Sequence, residues 1–214
     1  MVHPIYYLTD KLEFPPVHTA NEDGLLAAGG DLSVERLQLA YKSGIFPWFD
    51  DDRLLLWWSP DPRMVLFPQE LKVSKSMRKL LRDKAFTVTK NKNFEEVIHR
   101  CATVPRDGQP GTWITQNMQN AYIELHKKGF AHSYEVWLDN QLVGGLYGID
   151  LGTVFCGESM FSDVSNASKY GFITMVQEME ANNYKLIDCQ VYTQHLESLG
   201  AREIDRDDFI GFLK

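Results

Sequence analysis

The residues best equipped for chemistry sit in two apolar segments. Phe155-Cys156-Gly157-Glu158-Ser159-Met160-Phe161-Ser162 sets a carboxylate, Glu158, inside a run that reads as a buried strand. Leu186-Ile187-Asp188-Cys189-Gln190-Val191 repeats the pattern with an acid and an amide. A carboxylate withdrawn from water is costly unless it is paired or used. Strand alternation puts Leu186, Asp188 and Gln190 on one face and Ile187, Cys189 and Val191 on the other. On that spacing the Asp188 carboxylate can accept from the Gln190 amide and turn the Gln190 carbonyl toward a substrate amine. The same alternation predicts that Glu158 shares its face with Cys156 and Met160. Two readings of these polar groups stand side by side: a reaction centre at a sheet edge, or groups satisfied by neighbouring loops. Gly157 allows close backbone approach or a bulge beside Glu158. Cys156 and Cys189 read as small core residues rather than nucleophiles.

Composition narrows the setting for that chemistry. The chain has 214 residues, 44% hydrophobic and 24% charged, as expected of a soluble globular protein. No apolar run approaches the ~20 residues that span a bilayer. The start, Met1-Val2-His3-Pro4, lacks the charged and apolar regions of a secretory leader. Three widely spaced cysteines form no C-x-x-C pair, and no two histidines have metal-ligand spacing. The expectation is a cytoplasmic, monomeric protein with no metal, no cofactor and no membrane partner. A net charge of −7 on its face argues against nucleic acid, and no DNA partner is expected. The charge is segregated, however: residues 72–92 hold eight basic residues and one acid, so that window is +7 and the rest of the chain −14.

Several elements must position these groups. Ser33 caps a helix that Gly44 stops, and Ile45-Phe46-Pro47-Trp48-Phe49 follows it. Ser59-Pro60-Asp61-Pro62-Arg63 is a rigid turn and the expected boundary between residues 1–62 and 63–214. Beyond it, Val73, Met77, Leu80 and Leu81 recur at helical spacing, with Lys75, Arg78, Lys79 and Arg82 on the opposite face. Such a stripe is either a solvated helix face or a sequence-independent contact for phosphates. Asn93 and Glu96 have the spacing of a reciprocal helix cap. Thr115 caps the next helix, and strands meet at the Asp139-Asn140 turn. A helix over about Asn166–Asn182 precedes the Asp188 strand, and Thr193 caps a short helix ending before Gly200. A β-meander followed by a helix and another strand suits an α+β or mixed-sheet acyltransferase domain. Trp48 and Trp113 lie in Pro/Gly-bounded loops, where an indole either packs between domains or stacks on a splayed-out base.

Six blocks, in order along nearly the whole chain, are similar to leucyl/phenylalanyl-tRNA–protein transferases. They are Gly24-Leu25-Leu26-Ala27-Ala28-Gly29-Gly30-Asp31-Leu32, Gly44-Ile45-Phe46-Pro47-Trp48-Phe49, Trp57-Trp58-Ser59-Pro60-Asp61-Pro62-Arg63, Gly111-Thr112-Trp113-Ile114-Thr115, the Glu158 block and Leu186-Ile187-Asp188-Cys189-Gln190. The resemblance implies a small N-terminal domain and a GNAT-like acyltransferase domain with a mixed, mostly antiparallel sheet. It implies transfer of Leu or Phe, less often Met, from aminoacyl-tRNA to acceptor proteins with N-terminal Lys or Arg, marking them for N-degron proteolysis. Carried over by motif, Trp48 and Trp113 would hold the terminal adenosine, and Glu158, Asp188 and Gln190 would form the reaction centre. Leu146, Phe172, Met175 and Ile187, near Gly157 and Met160, would make the apolar pocket for the amino-acid side chain.

The implied reaction makes modest demands. Its nucleophile is an α-amine with a pKa of roughly 7.7–8.0, so a sizeable minority is neutral at pH 7. Positioning and stabilisation of charge at the tetrahedral centre then matter more than a strong base. Two other readings compete. A CoA-dependent N-acetyltransferase would need a Gly-rich pyrophosphate loop at a helix start, which Asn166-Ala167-Ser168-Lys169-Tyr170-Gly171 lacks. A non-catalytic RNA-binding module leaves Glu158, Asp188 and Gln190 without a task.

Overall fold

The computed structural model describes residues 5–104 and 113–214. Met1–Pro4, the 105–111 loop and the Gly111-Thr112 part of the Trp113 motif lie outside the described residues. Four short strands, β1 (Tyr6–Leu8), β2 (Leu25–Gly29), β3 (Phe46–Pro47) and β4 (Leu56–Trp58), form a sheet in the order β1-β2-β4-β3. Helix α1 (Val34–Lys42) lies between β2 and β3 in the chain, and Ser33 caps it by accepting from the Arg36 N–H.

A seven-stranded sheet contains β5 (Arg63–Leu66), β6 (Thr87–Lys90), β7 (Ala131–Leu138), β8 (Gln141–Asp150), β9 (Val154–Ser162), β10 (Leu186–Gln190) and β11 (Arg202–Ile204). Its order is β11-β5-β10-β9-β8-β7-β6. Only β9 and β10 pair in parallel, joined by the crossover helix α5 (Ala167–Ala181), so the sheet is mixed and mostly antiparallel. Helices α3 (Phe94–Thr103) and α4 (Gln116–Lys127) join the first sheet in one core cluster with Tyr41, Tyr122 and Cys156. Helix α2 (Lys75–Arg82) packs with α5 in a second cluster with Phe155, Phe172 and Ile187. Two short helices, α6 (Gln194–Ser198) and α7 (Arg206–Phe212), complete the chain.

Local sequence explains most of this. Thr115 and Thr193 accept from the N–H groups of Met118 and Leu196 at their helix starts. Asp139 and Asn140 both take positive φ, as a two-residue hairpin between right-twisted strands requires. The reciprocal cap expected from Asn93 and Glu96 does not form. The Asn93 side chain makes no cap, and its N–H donates to Glu135 Oε1 at 3.3 Å, an acceptor also held by the Ser133 hydroxyl.

Two interruptions of strand register overturn the simple alternation. Between β8 and β9, Tyr147 faces Ser159 while Gly148 faces Gly157, so Glu158 is an extra residue. Gly148 is needed for that approach: a Cβ there would lie 2.3 Å from the Cys156 carbonyl oxygen. The extra residue reverses the side-chain parity beyond it. Cys156 and Phe161 therefore share one core cluster, whereas Met160 packs against the other, and the expected common face of Cys156, Glu158 and Met160 is not formed. The second irregularity falls between Asp188 and Gln190, where β10 slips against β5 and Gln190 adopts φ +65°.

Candidate active site

The second interruption sets the key side chain. The Gln190 N–H donates to Asp188 Oδ1 at 2.9 Å, a local bond that holds a non-glycine residue in the left-handed region. The Gln190 side chain then leaves the alternation, and its Nε2 donates to Glu158 Oε1 at 2.7 Å. The other Glu158 oxygen accepts from the Tyr122 hydroxyl of α4 at 3.0 Å, and Tyr122 is hydrogen-bonded to the Tyr41 hydroxyl of α1. Elements distant in sequence thus converge on one carboxylate.

The expected Asp188–Gln190 side-chain bond is replaced by a different arrangement. Asp188 is gripped by Arg63 of β5, whose Nε and Nη2 donate to its two oxygens at 2.8 and 2.7 Å. Both partners are 1% exposed. A paired, bidentate geometry is what makes such burial tolerable. Arg63 also donates to the Gly44 carbonyl, and its guanidinium lies between the rings of Phe46 and Phe209 at 4.7 and 4.6 Å. Burial works against its charge, but the Asp188 carboxylate outweighs that and holds its pKa above the ordinary value. Asp188 therefore acts behind the strand, fixing the backbone of Gln190, rather than on its amide.

Glu158 and Gln190 sit on the wall of a cavity of about 410 Å³, which Trp48, Trp113, Leu146, Gly157, Met160, Phe172, Met175 and Ile187 also line. Asp188 does not line it. Trp48 is 39% exposed at the mouth, its backbone carbonyl held by the Trp58 indole N–H at 2.7 Å. The lining is predominantly apolar around the one carboxylate–amide pair, the usual balance of a small-molecule site. Lys75, Arg78, Lys79 and Arg82 are exposed on α2, outside the cavity, with Met77 of the same helix buried beneath them.

The electrostatics follow from this enclosure. Burial, with help from the nearby Asp188 charge, pushes Glu158 up to about 7, although hydrogen bonds from Tyr41, Tyr122 and Gln190 pull the other way. Burial and the Glu158 charge push both tyrosines well above their ordinary values, so they remain hydroxyl donors. Burial and Asp188 likewise raise the thiols of Cys156 and Cys189, which stay protonated and unreactive.

Arg63, Tyr41 and Tyr122 escaped the sequence reading. Arg63 carried a signal, a lone charge opening the apolar run Arg63-Met64-Val65-Leu66, although it read only as the end of a turn. The tyrosines carried none, because each falls on an apolar helix face like any core residue.

The fold is α+β, and its mixed sheet carries an apolar cavity with a carboxylate–amide pair beside the one parallel strand pair of that sheet. FemX shares the fold, with a TM-score of 0.52 at 12% identity over 80% of this chain and 66% of that one. Residues 65–214 match the family model described as leucyl/phenylalanyl-tRNA protein transferase, and residues 30–61 match that of its N-terminal domain. The leucyl/phenylalanyl-tRNA–protein transferase of Flavobacterium johnsoniae is 64% identical over 98% of this chain and 99% of its own length. That of Christiangramia forsetii is 58% identical over 98% and 100%. The chain belongs to the leucyl/phenylalanyl-tRNA protein transferase family and is an enzyme, an aminoacyltransferase.

Proposed function

We propose that this enzyme moves leucine or phenylalanine, and less often methionine, from its tRNA to the α-amine of an acceptor protein beginning with Lys or Arg. The new peptide bond marks the acceptor for N-degron proteolysis. The observation that carries the reading is the 2.7 Å bond from Gln190 Nε2 to Glu158 Oε1 on the wall of an apolar cavity. Because the Gln190 amide nitrogen is committed to Glu158, its carbonyl oxygen is left to accept from an amine entering the cavity.

In this reading the aminoacyl side chain fills the space between Leu146, Met160, Phe172, Met175 and Ile187, beside Gly157. The terminal adenosine stacks against Trp48 and Trp113. Gln190 orients the neutral acceptor α-amine toward the ester carbonyl, and Glu158 fixes the α-amino group of the aminoacyl moiety. Attack forms the C–N bond, and collapse of the tetrahedral centre breaks the C–O bond. The proton lost by the amine leaves with the ribose oxygen. Pre-arranged donors and acceptors at a desolvated centre supply the rate.

Residues 1–62, as a small N-terminal domain, contribute Trp48 and Tyr41, and residues 63–214, as the catalytic domain, contribute the rest. The basic face of α2 receives tRNA phosphates. A monomer meeting charged tRNA and acceptor in the cytoplasm suffices, and no helix among the described residues is long and apolar enough to cross a membrane. The test is to supply tRNA charged with labelled leucine and a peptide beginning with Arg, without CoA. Label on the peptide, absent when its first residue is Ala, is expected; no transfer to either peptide contradicts the reading.

A further inference from the structure

Positive charge does not end at the face of α2. That helix packs against α5, and the Phe86 ring just beyond α2 meets Tyr170 of α5 edge-on at 5.2 Å. The residue before Tyr170 is Lys169. It is half-buried in the first turn of α5 and has no ion pair or side-chain hydrogen bond among the described residues.

His195 stands on the other side, in α6. It lines the cavity with Gln190 and Trp48, is half-buried, and its imidazole has no hydrogen-bond partner among the described residues. Burial, and after it the positive charge of Lys169, lowers its pKa. Lys169 lies one helical turn before Phe172, which lines the same cavity as His195, and the neutral imidazole of His195 has one N–H to donate. A lysine one turn from the cavity wall and an imidazole on that wall are thus both without a side-chain partner among the described residues.

We propose that Lys169 and His195 form a phosphate station that receives the phosphodiester leading to the terminal adenosine of the aminoacyl-tRNA. This rests on the function proposed above and names further binding residues for the same site. The charge sign selects the substrate: an unpaired lysine at the mouth attracts a polyanion and repels an acceptor that begins with Lys or Arg. It also makes the path continuous, from Lys75, Arg78, Lys79 and Arg82 on α2 across the start of α5 to the cavity. A phosphate held there sets the depth to which the adenosine enters and so the register of the ester against Gln190.

The test compares two donors with one Arg-starting peptide: phenylalanyl-tRNA, and phenylalanyl-adenosine, which has no phosphate. For Lys169→Gln, the KM for phenylalanyl-tRNA should rise roughly five- to tenfold, and the salt slope of tRNA binding should fall by about one. With phenylalanyl-adenosine the KM should stay within about twofold of wild type. Lys169→Arg should restore most of the tRNA effect, and His195→Gln should follow the same donor preference more weakly. Equal losses on both donors would overturn the proposal, because they would mean that Lys169 shapes the cavity. Unchanged tRNA KM and salt slope would overturn it as well. Failure of the wild type with both donors would refute the underlying function instead, so the two outcomes are distinct.

Discussion

Glu158 carries the tension of the site. Its carboxyl group titrates at about 7 in the fold, against about 4.3 in an unfolded chain. Between those values the folded state binds more protons than the unfolded one. The contribution of this group to stability is therefore greatest below about pH 4 and falls as pH rises through 7, above which the loss, roughly 4 kcal/mol, is complete. Glu158→Gln should abolish that slope and unfold at higher temperature than wild type at pH 8, as melting curves across pH would show. Its single-turnover transfer rate should nonetheless drop about 100-fold, the usual scale for removing a charge-stabilising group. Tyr122→Phe tests the same carboxylate from the other side. It deletes a bond that pulls the Glu158 pKa down. The acidic limb of the pH–rate profile should then move to higher pH by up to about one unit, and an unmoved limb would detach Glu158 ionisation from the rate.

At the scale of elements, β10 matters through its irregularity. Asp188 fixes the left-handed turn at Gln190, and Arg63 fixes Asp188 while touching Phe46 and the C-terminal helix through Phe209. Asp188→Asn leaves the Arg63 charge buried and poorly paired, and chemical denaturation should report a loss of about 3–5 kcal/mol. A loss below about 1 kcal/mol would mean that the pair is solvated. The helix caps at Ser33, Thr115 and Thr193, the Asp139-Asn140 turn and the two-faced α2 were legible in sequence, because each depends on neighbours a few residues away. The extra residue at Glu158 was not. Strand alternation assumes one residue per partner, and only the close approach of β8 at Gly148 creates the exception. Arg63 was missed for a related reason: its partner lies 125 residues away. The candidate site was therefore legible as a set of residues, largely through the family motifs, while the bonds among them were not.

For the molecule as a whole, charge and shape divide the substrates. A chain of net −7 gathers a +7 segment into α2 and its flanks, and in the proposed reading that segment draws the polyanionic tRNA. Replacing Lys75, Arg78, Lys79 and Arg82 by Gln should weaken tRNA binding at 50 mM salt and flatten its salt slope by about 3 if all four touch phosphates. An unchanged slope would make α2 a solvated face. Positioning of the attacking amine by the Gln190–Glu158 pair is tested by Gln190→Ala. The measurement is the single-turnover transfer of phenylalanine from tRNA to an Arg-starting peptide, alongside the Kd for the same charged tRNA. The expected result is a rate lowered about 100-fold with the Kd within about threefold of wild type. A near-normal rate, or a loss that appears entirely in Kd, would contradict it.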